Sequence, residues 1–377
     1  MVLRARADAC PGVFAPHDAA DGAVARVRLP GGRITGSALR AVAGCAEDLG
    51  DGSVHLTSRG NVQLRGLDRN DDAVVDALVA RLSAVGLLPA PEHERARNFL
   101  ASPLSGLAGG LVDVGPLARE LDVAVCARPE AARLPGRFLF ALDDGRGDVS
   151  DEDPDICWRA VSSATGALLL AGQDTGLRIP FPEAVSALVA VALRFLEVRG
   201  AAWRVRELSD PAVVLDCLGG APGTAAGTAR AGSGGPCPLG EFARDDGGTG
   251  MVVAPVLGEC TAGQLRAVAD LLADATAPAT TAPAVAVITP WRSIVLPRKG
   301  DLAGTGLLAG PAEPAAGVSA CIGRPGCAKS RADVRANARS LIEVLPAGVR
   351  VHFSGCERRC GRPHGPHLDV VARKEEL

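Results

Sequence analysis

Two distant stretches of this chain repeat one pattern, and that repeat limits the fold more than any other feature. Residues 28–49 and 255–274 both predict a short strand, a glycine turn, a Ser or Thr cap and a helix with an apolar stripe. The run Leu-Arg-Ala-Val-Ala that starts at Leu39 recurs at Leu265. Because a repeated order of elements indicates a duplicated unit, we expect an α+β fold of two similar halves with pseudo-twofold symmetry.

The segments that follow each copy extend the repeat. A second strand is predicted in 54–67 after the first copy and in 285–300 after the second. Residues 98–110 and 317–330 come next, and both are rich in Gly, Ser and Pro. The matching order over these segments supports duplication of a whole α+β unit.

Two other regions divide the chain. Residues 219–236 are Gly, Ala, Ser and Thr with almost nothing to bury, so they predict a linker. The region 111–216 precedes it, with a predicted strand and turn in 132–145 and a helical apolar stripe in 182–200. We interpret that region as a separate α/β domain.

Two predicted strands carry a polar face. In 24–29, Arg26 and Arg28 share one face, opposite apolar residues. If 54–65 stays extended, its odd positions are all polar: His55, Thr57, Arg59, Asn61, Gln63 and Arg65. Such a face is either solvated or lines a cavity for a polycarboxylate, because guanidinium groups pair bidentately with carboxylates. The alternation alone leaves both interpretations open.

Four cysteines near the end of the chain have the spacing of metal ligands. Cys321 and Cys327 form C-x5-C, and Cys356 and Cys360 form C-x3-C after 28 intervening residues. Zinc sites use closer pairs, whereas iron–sulfur clusters take four thiolates with more varied spacing. We expect one cluster. The other seven cysteines are scattered, and we interpret them as small buried hydrophobic residues: Cys10, Cys45, Cys126, Cys157, Cys217, Cys237 and Cys260.

Local patterns can bring the two cysteine pairs together. Ser330 and Asp333 resemble a capping box, which predicts a helix start whose N–H groups point at an anionic cluster. Residues 349–355 alternate like a strand that ends at Cys356. A loop, helix, strand and second loop would then surround one centre.

Charge and hydropathy exclude several classes of protein. The net charge is −3, so no global field attracts nucleic acid or a membrane surface. No apolar run reaches the roughly 18 residues of a membrane span, and the N-terminus lacks a signal-peptide core. We expect a cytoplasmic protein without nucleic-acid or membrane partners.

The chain resembles the sulfite and nitrite reductase superfamily. The blocks RVRLPGGRIT, LTSRGNVQL and ARNFLASPLSG and the spacing C-x5-C…C-x3-C carry the resemblance. It implies duplicated ferredoxin-like halves plus α/β domains, and a [4Fe-4S] cluster on the four cysteines. It also implies that Arg26 and Arg97 bind an anion and that Arg59 and Gln63 contact a tetrapyrrole.

Within the superfamily, ADACPGVFAP, LPGRFLFALDDG, TPWRSIVLP and SGCERRCGRPH are similar to the precorrin-3B synthase family. Such enzymes are O2-dependent monooxygenases of cobalamin biosynthesis that hydroxylate C20 of precorrin-3A and close a γ-lactone from an acetate arm. The resemblance implies catalytic roles for Arg26, Arg97 and Arg137. It also implies tetrapyrrole-substrate contacts for Arg28, Arg59, Gln63 and Arg65.

The electron route and the oxygen-activating centre follow only from that resemblance. The chain has no GxGxxG on a strand–helix turn, so we expect NADH-derived electrons to arrive through a separate reductase or ferredoxin. A mononuclear non-haem iron is a second cofactor prediction, with His352, His364 and His367 as candidate ligands. Cys10 is either substrate-facing or inert.

Two other functions compete with the oxygenase. A sirohaem-dependent sulfite or nitrite reductase is the first, and Leu139 counts against it because reductases place a lysine there. A non-catalytic iron–sulfur carrier is the second, and the Arg-lined strands count against it.

The same resemblance divides the chain into domains. We expect an N-terminal ferredoxin-like half in 1–90, an α/β domain in 91–218 and the linker in 219–236. A second ferredoxin-like half follows in 237–300, and a shortened iron–sulfur-cluster domain in 301–377.

Overall fold

A computed structural model of the chain describes residues 10–219, 234–273, 283–345 and 348–373. Most of the expected linker, residues 220–233, lies outside the described residues. The helices are α1 (Gly36–Leu49), α2 (Asp72–Ala84), α3 (Gly115–Cys126), α4 (Ala184–Val198), α5 (Ala262–Leu272) and α6 (Val334–Leu341). Among the described residues, none of these helices has the length and apolar character to cross a bilayer.

The strands form four sheets. They are β1 (His17–Ala19), β2 (Gly22–Val27), β3 (Arg33–Thr35), β4 (Ser53–Leu56), β5 (Val62–Leu67), β6 (Phe99–Ala101), β7 (Phe140–Asp143), β8 (Ile156–Ala160), β9 (Thr165–Leu170), β10 (Gln173–Pro180), β11 (Gly240–Ala243), β12 (Thr249–Val253), β13 (Glu259–Thr261), β14 (Val285–Ile288), β15 (Ile294–Leu296), β16 (Val318–Ala320), β17 (Val351–Ser354) and β18 (Leu368–Val371). Sheet 1 has the order β1-β2-β5-β4-β13, sheet 2 β11-β12-β15-β14-β3, sheet 3 β10-β9-β8-β7-β6 and sheet 4 β16-β17-β18.

Sheets 1 and 2 belong to the two repeated halves, and each takes one strand from the other half. Strand β13 pairs with β4 in sheet 1, and β3 pairs with β14 in sheet 2. Helices α1 and α5 pack together, and Leu39 and Leu265 are fully buried in one apolar core that both halves share. The prediction of two similar α+β halves is confirmed, and the strand exchange makes them one folding unit.

The repeated helices begin as the sequence predicts. The Thr35 hydroxyl accepts a hydrogen bond from the backbone N–H of Ala38, and Thr261 forms a capping box with Gln264. Both caps satisfy N–H groups that have no partner within the helix. Helix α6 begins differently from the prediction: Asp333 caps it alone, while the Ser330 hydroxyl donates to the carbonyl of Ala332.

The expectation that 54–65 stays extended is wrong. Strands β4 and β5 form a hairpin, and residues 57–61 make the turn between them. Gly60 has φ of +63°, and a Cβ there would lie 2.9 Å from the carbonyl oxygen of Ile288. Only glycine fits this left-handed, close-packed position. Because the strand reverses at the turn, His55 and Gln63 become cross-strand neighbours.

The two α/β regions have the same parallel core. In sheet 3, β6, β7 and β8 are parallel, and β9 and β10 extend the sheet in antiparallel pairs. In sheet 4, β16, β17 and β18 are parallel, and α6 packs on the buried face of β16 and β17. Strand β17 ends next to Cys356, in agreement with the predicted strand in 349–355.

Candidate functional site

The four cysteines meet at one edge of sheet 4. Cys321 follows β16 and Cys356 follows β17, and these strands are parallel neighbours. The backbone N–H of Gly355 donates to the Cys321 Sγ at 3.2 Å, and the N–H of Cys321 donates to the carbonyl of Phe353 at 2.9 Å. Parallel pairing therefore delivers both cysteine pairs to the same side of the domain.

All four thiols line a single cavity of about 480 Å³, which we call the first cavity. Burial raises the pKa of the Cys360 thiol; the nearby Arg358 lowers it, and the thiols of Cys321, Cys356 and Cys327 raise it further. Thiols that influence one another in this way are close in space. The structure therefore places the predicted ligand set around one space.

The four thiols are not among the close ligand groups of the described residues. Within the described ranges, Asp143, Asp144 and Asp148 are the only group of three or more potential ligands whose atoms lie within 4.8 Å of one another. Thiolates that share one tetrahedral zinc lie about 4 Å apart. The wider arrangement suits a cluster, in which the thiolates bind different irons of one core.

The opposite wall is the polar face of sheet 1. Strand register places Arg26 beside Gln63, Gln63 beside His55, and His55 beside Glu259. We call Arg26, Gln63 and His55 the polar row. The polar row lines a second cavity of about 210 Å³, and Cys321 and Cys360 line it as well. Gln63, Cys321 and Cys360 line both cavities, so the two are adjacent.

His55 is the least expected member of the polar row. Its side chain is 8% exposed, and its Nδ1 is buried without a hydrogen-bond partner. Burial lowers the pKa of His55 to about 4, and the charge of Arg335 lowers it further. The imidazole is therefore neutral at pH 7. Sequence alternation showed His55 only as one polar position among several.

Arg292 and Arg335 also line the second cavity, and neither was among the predicted site residues. Arg292 donates to the carbonyl of Gly361 at 2.8 Å, directly after Cys360. Burial lowers the pKa of Arg292, and the charge of Arg335 lowers it further. The repeat held a signal for Arg292, because it follows Thr289 in the second copy much as Arg59 follows Thr57 in the first.

Arg59 lies at the hairpin turn and reaches the first α/β domain. Its guanidinium donates to the carbonyls of Gly136 at 3.1 Å and Arg137 at 2.9 Å. Burial lowers the pKa of Arg59 to about 10, and the charge of Arg204 contributes to this shift. The predicted tetrapyrrole contact of Arg59 stays a prediction, and its described partners join sheet 1 to that domain.

Arg28 lies after the end of β2, so it does not share a strand face with Arg26. Its side chain is fully buried, and it donates to the Asn98 side chain and to the carbonyl of Pro11. Burial lowers the pKa of Arg28 to about 10, and the charge of Arg26 adds to the effect. This environment favours a structural role over the predicted substrate contact.

Arg97 has a structural environment as well. It binds both carboxylate oxygens of Asp122, at 2.6 and 2.8 Å, and it donates to the carbonyl of Leu87. The residue is buried. An arginine with these partners would have to give them up to hold a substrate anion. The geometry favours a stabilising role over the predicted catalytic one.

Arg137 and Leu139 differ from expectation too. The Arg137 backbone accepts from Arg59, while its exposed guanidinium lies over the ring of Trp203 at 5.5 Å. Leu139 is 2% exposed and packs with Val149 in a small apolar cluster of sheet 3. Leu139 is not among the described lining residues of either cavity, and its place as the counterpart of a reductase lysine stays a prediction from the family resemblance.

The histidines near the cysteines do not form a preassembled ion site. His352 is fully buried, and its Nδ1 lies 2.9 Å from the Ser319 hydroxyl. His367 Nε2 lies 3.4 Å from Asp369, and His364 Nε2 lies 3.7 Å from Glu152. No histidine belongs to the close ligand group of the described residues. The mononuclear iron therefore stays a prediction without an assembled ligand set.

The scattered cysteines fit their expected role only in part. Four are buried: Cys45, Cys157, Cys237 and Cys260. Cys126 is half-buried and Cys217 is exposed. Cys10, also half-buried, donates to the carbonyl of Gly136 and accepts from Arg26 at 3.6 Å. Cys10 therefore lies beside the polar row.

Comparison with known proteins finds similar sequences over part and over nearly all of the chain. A model described as the nitrite/sulfite reductase ferredoxin-like half domain matches residues 17–85. A precorrin-3B synthase from Sinorhizobium sp is 27% identical over 98% of this chain and 82% of its own length. A sulfite reductase [ferredoxin] 2 from Mycolicibacterium paratuberculosis is 25% identical over 89% of this chain and 67% of its own length.

A solved structure titled as Mycobacterium tuberculosis NirA protein has the same fold. It superposes with a TM-score of 0.71 and 22% identity, and the match covers 90% of this chain and 69% of that one. The duplicated halves and the α/β regions described above agree with this likeness in fold. The chain has a sulfite/nitrite reductase-like fold, carries a ferredoxin-like half domain of that kind in residues 17–85, and is similar over nearly its whole length to a precorrin-3B synthase.

Proposed function

We propose that this chain is an oxidoreductase of cobalamin biosynthesis that converts precorrin-3A to precorrin-3B. One atom of O2 enters the product at C20 and the other leaves as water, with a pair of electrons and protons from a separate reductase or ferredoxin. The ring A acetate closes a γ-lactone. The similarity to a precorrin-3B synthase over 98% of the chain supports this substrate.

One observation carries the proposal. All four cysteines line the first cavity together with Gln63 and Arg65 of sheet 1, and Cys321 and Cys360 also line the adjacent second cavity with the polar row. A redox centre and a polar, cationic wall thus border the same space, as an enzyme that acts on a polycarboxylate requires. A [4Fe-4S] cluster on Cys321, Cys327, Cys356 and Cys360 would supply electrons one at a time when bound.

The remaining residues of the site would bind the substrate and hold the surrounding loops in position. Arg26, Arg292 and Arg335 supply cationic groups at the second cavity, and Arg65 lines the first. Arg59 and Arg65 hold the turn and the cysteine loop in place around the substrate. The wide first cavity borders the cysteines, so a bound macrocycle would lie beside the electron source.

A sirohaem-dependent reductase is the second candidate. The similarity to a sulfite reductase [ferredoxin] over 89% of this chain favours it, whereas Leu139 counts against it, because the family resemblance places a lysine of the reductases there. The two functions require different cofactors, since a reductase needs sirohaem and the oxygenase does not.

Anaerobic purification followed by iron, sulfide and absorption measurements separates them. The oxygenase predicts broad brown absorption without the red-region bands of sirohaem. With a chemical or enzymatic electron source, O2 should be consumed only when precorrin-3A is present. Bound sirohaem together with rapid sulfite or nitrite reduction would overturn the proposal in favour of the reductase.

A further inference from the structure

The second cavity has a cationic lining. Arg26, Arg292 and Arg335 all border it, and no Asp or Glu is among its described lining residues. Glu259 is the cross-strand neighbour of His55, and its carboxylate accepts hydrogen bonds from Arg335 and Arg339. An excess of guanidinium groups around a small space favours an anionic ligand.

Two buried nitrogen atoms of this cavity have no partner. They are the Nε of Arg26 and the Nδ1 of His55, on either side of Gln63 in the polar row. His55 is more than nine-tenths buried. A buried donor without a partner costs about 1–3 kcal/mol, so such atoms usually have a ligand or water. Both lie on residues that border the same space.

The sizes of the two cavities suggest different parts of one ligand. The first, at about 480 Å³, is within the usual range of small-molecule pockets, whereas the second, at about 210 Å³, is smaller. The second cavity adjoins the first and opens beside Cys321 and Cys360. A short carboxylate side arm would fit the second while the body of the ligand occupies the first.

We propose that the second cavity is the subsite for one acetate arm of the tetrapyrrole, with Arg26, Gln63 and His55 as its hydrogen-bond donors. This inference rests on the proposed function, because it assigns an arm of that substrate. It assigns no acetate contact to Arg97 or Arg137, which have other partners. His55 is the specificity-determining residue.

The neutral state of His55 supports this role. Burial and the charge of Arg335 lower its pKa to about 4, so the ring adds no further charge at pH 7, and in its Nδ1–H tautomer it offers a directional donor. The arginines attract any carboxylate. The buried imidazole of His55 is fixed in place, so it can form a hydrogen bond only with an arm of the right length. An acetate arm and a longer propionate arm would place their oxygens differently against Nδ1.

Binding of two porphyrins tests the proposal. Uroporphyrin III carries acetate and propionate arms, whereas coproporphyrin III carries propionates with methyl groups in place of the acetates. Dissociation constants would be measured by fluorescence quenching on the anaerobically purified protein with its iron. We expect wild type to bind uroporphyrin III more tightly. His55→Leu should weaken uroporphyrin binding about 10-fold or more and leave coproporphyrin binding unchanged.

Two variants serve as controls. His55→Asn places an amide nitrogen near the Nδ1 position, so it should keep most of the preference for uroporphyrin and shows that any loss is not a folding defect. Arg266→Ala removes an exposed arginine that pairs with Glu47 on the α1–α5 surface, so it should change neither affinity. Thermal unfolding of each variant verifies that the fold is intact.

The failures are distinguishable. If wild type binds neither porphyrin, the proposed tetrapyrrole function is overturned. If wild type binds both but His55→Leu lowers both equally or neither, only the acetate subsite is overturned. If His55→Leu instead changes iron content or the visible spectrum, His55 serves the cysteine centre and the subsite is likewise overturned.

Discussion

The guanidinium of Arg65 donates to the carbonyl oxygen of Gly326 at 2.8 Å and so joins sheet 1 to the cysteine loop. The same group binds both carboxylate oxygens of Asp21, at 2.8 and 3.0 Å. Gly326 directly precedes Cys327. The contact between Arg65 and Gly326 therefore sets the position of a predicted cluster ligand relative to the substrate wall.

Arg65→Ala should loosen that loop. We expect lower iron and sulfide content and a loss of about 1–3 kcal/mol in the free energy of unfolding, because hydrogen bonds to a charged group are removed. Arg65→Lys should retain only part of the iron content and of the stability, since an ammonium cannot bind Asp21 and Gly326 in the same geometry. Metal analysis and chemical denaturation measure both effects.

Arg69→Ala is the matched control, because Arg69 pairs with Asp18 at the exposed edge of the same sheet. It should leave iron content and stability unchanged. Full iron and sulfide in Arg65→Ala would show that the cysteine loop keeps its shape without this contact.

The cysteine assignment makes a separate prediction. Changing Cys321, Cys327, Cys356 or Cys360 singly to Ser should remove the brown absorption and the activity together, because a Ser hydroxyl is a poor ligand for this iron. Cys217→Ser, at an exposed cysteine outside the site, should retain both. Iron, sulfide and absorption measurements decide the question. A Cys356→Ser protein with undiminished iron and sulfide would remove Cys356 from the ligand set.

The repeat made the duplicated fold predictable, because Leu39 and Leu265 lie in matching amphipathic helices whose stripes are visible in the sequence. The exchange of β3 and β13 between the halves was not predictable in the same way. Strand pairing is a non-local choice, and three-residue strands such as Arg33–Thr35 carry almost no pattern of their own.

The cluster ligands were predictable because their spacing in the sequence is diagnostic. The roles of the arginines were not, because those roles depend on which distant residues surround them in the folded chain. The four cysteines have a diagnostic spacing, and the structure brings them to one cavity. Arg97 and Arg28 matched family positions, but their buried partners Asp122 and Asn98 come from distant segments. His55 was one polar residue in an alternating run until the turn at Gly60 placed it beside Gln63.

Asp148 should control how stability depends on pH. Its side chain is buried, its Oδ2 has no hydrogen-bond partner, and burial followed by the charge of Asp143 raises its pKa to about 7. Between about pH 4 and 7 the folded state binds this proton more tightly than the unfolded chain does. The free energy of unfolding therefore falls as pH rises through this window.

Asp148→Asn removes the titration and keeps an oxygen that can accept from the Ser102 hydroxyl, as Asp148 Oδ1 does at 2.6 Å. The variant should be more stable than wild type at pH 8, by up to about 4 kcal/mol, with no difference near pH 4. Chemical denaturation between pH 4 and pH 8 measures the free energy of unfolding of both proteins. Asp270→Asn, at a surface position, is the control. Parallel curves for Asp148→Asn and wild type would refute the assignment.

Arg97 should prove to be a stabilising residue and not a catalytic one. Its paired hydrogen bonds to Asp122 are largely buried, with 4% and 18% of the two side chains exposed. Arg97→Ala leaves the half-buried Asp122 carboxylate without its partner, so the free energy of unfolding should fall by about 1.5–3 kcal/mol. The affinity of the folded protein for uroporphyrin III should be unchanged. A double-mutant cycle with Asp122→Ala should assign most of the lost stability to the interaction between Arg97 and Asp122. A stable Arg97→Ala protein that has lost tetrapyrrole binding would restore the catalytic role that the family resemblance implied.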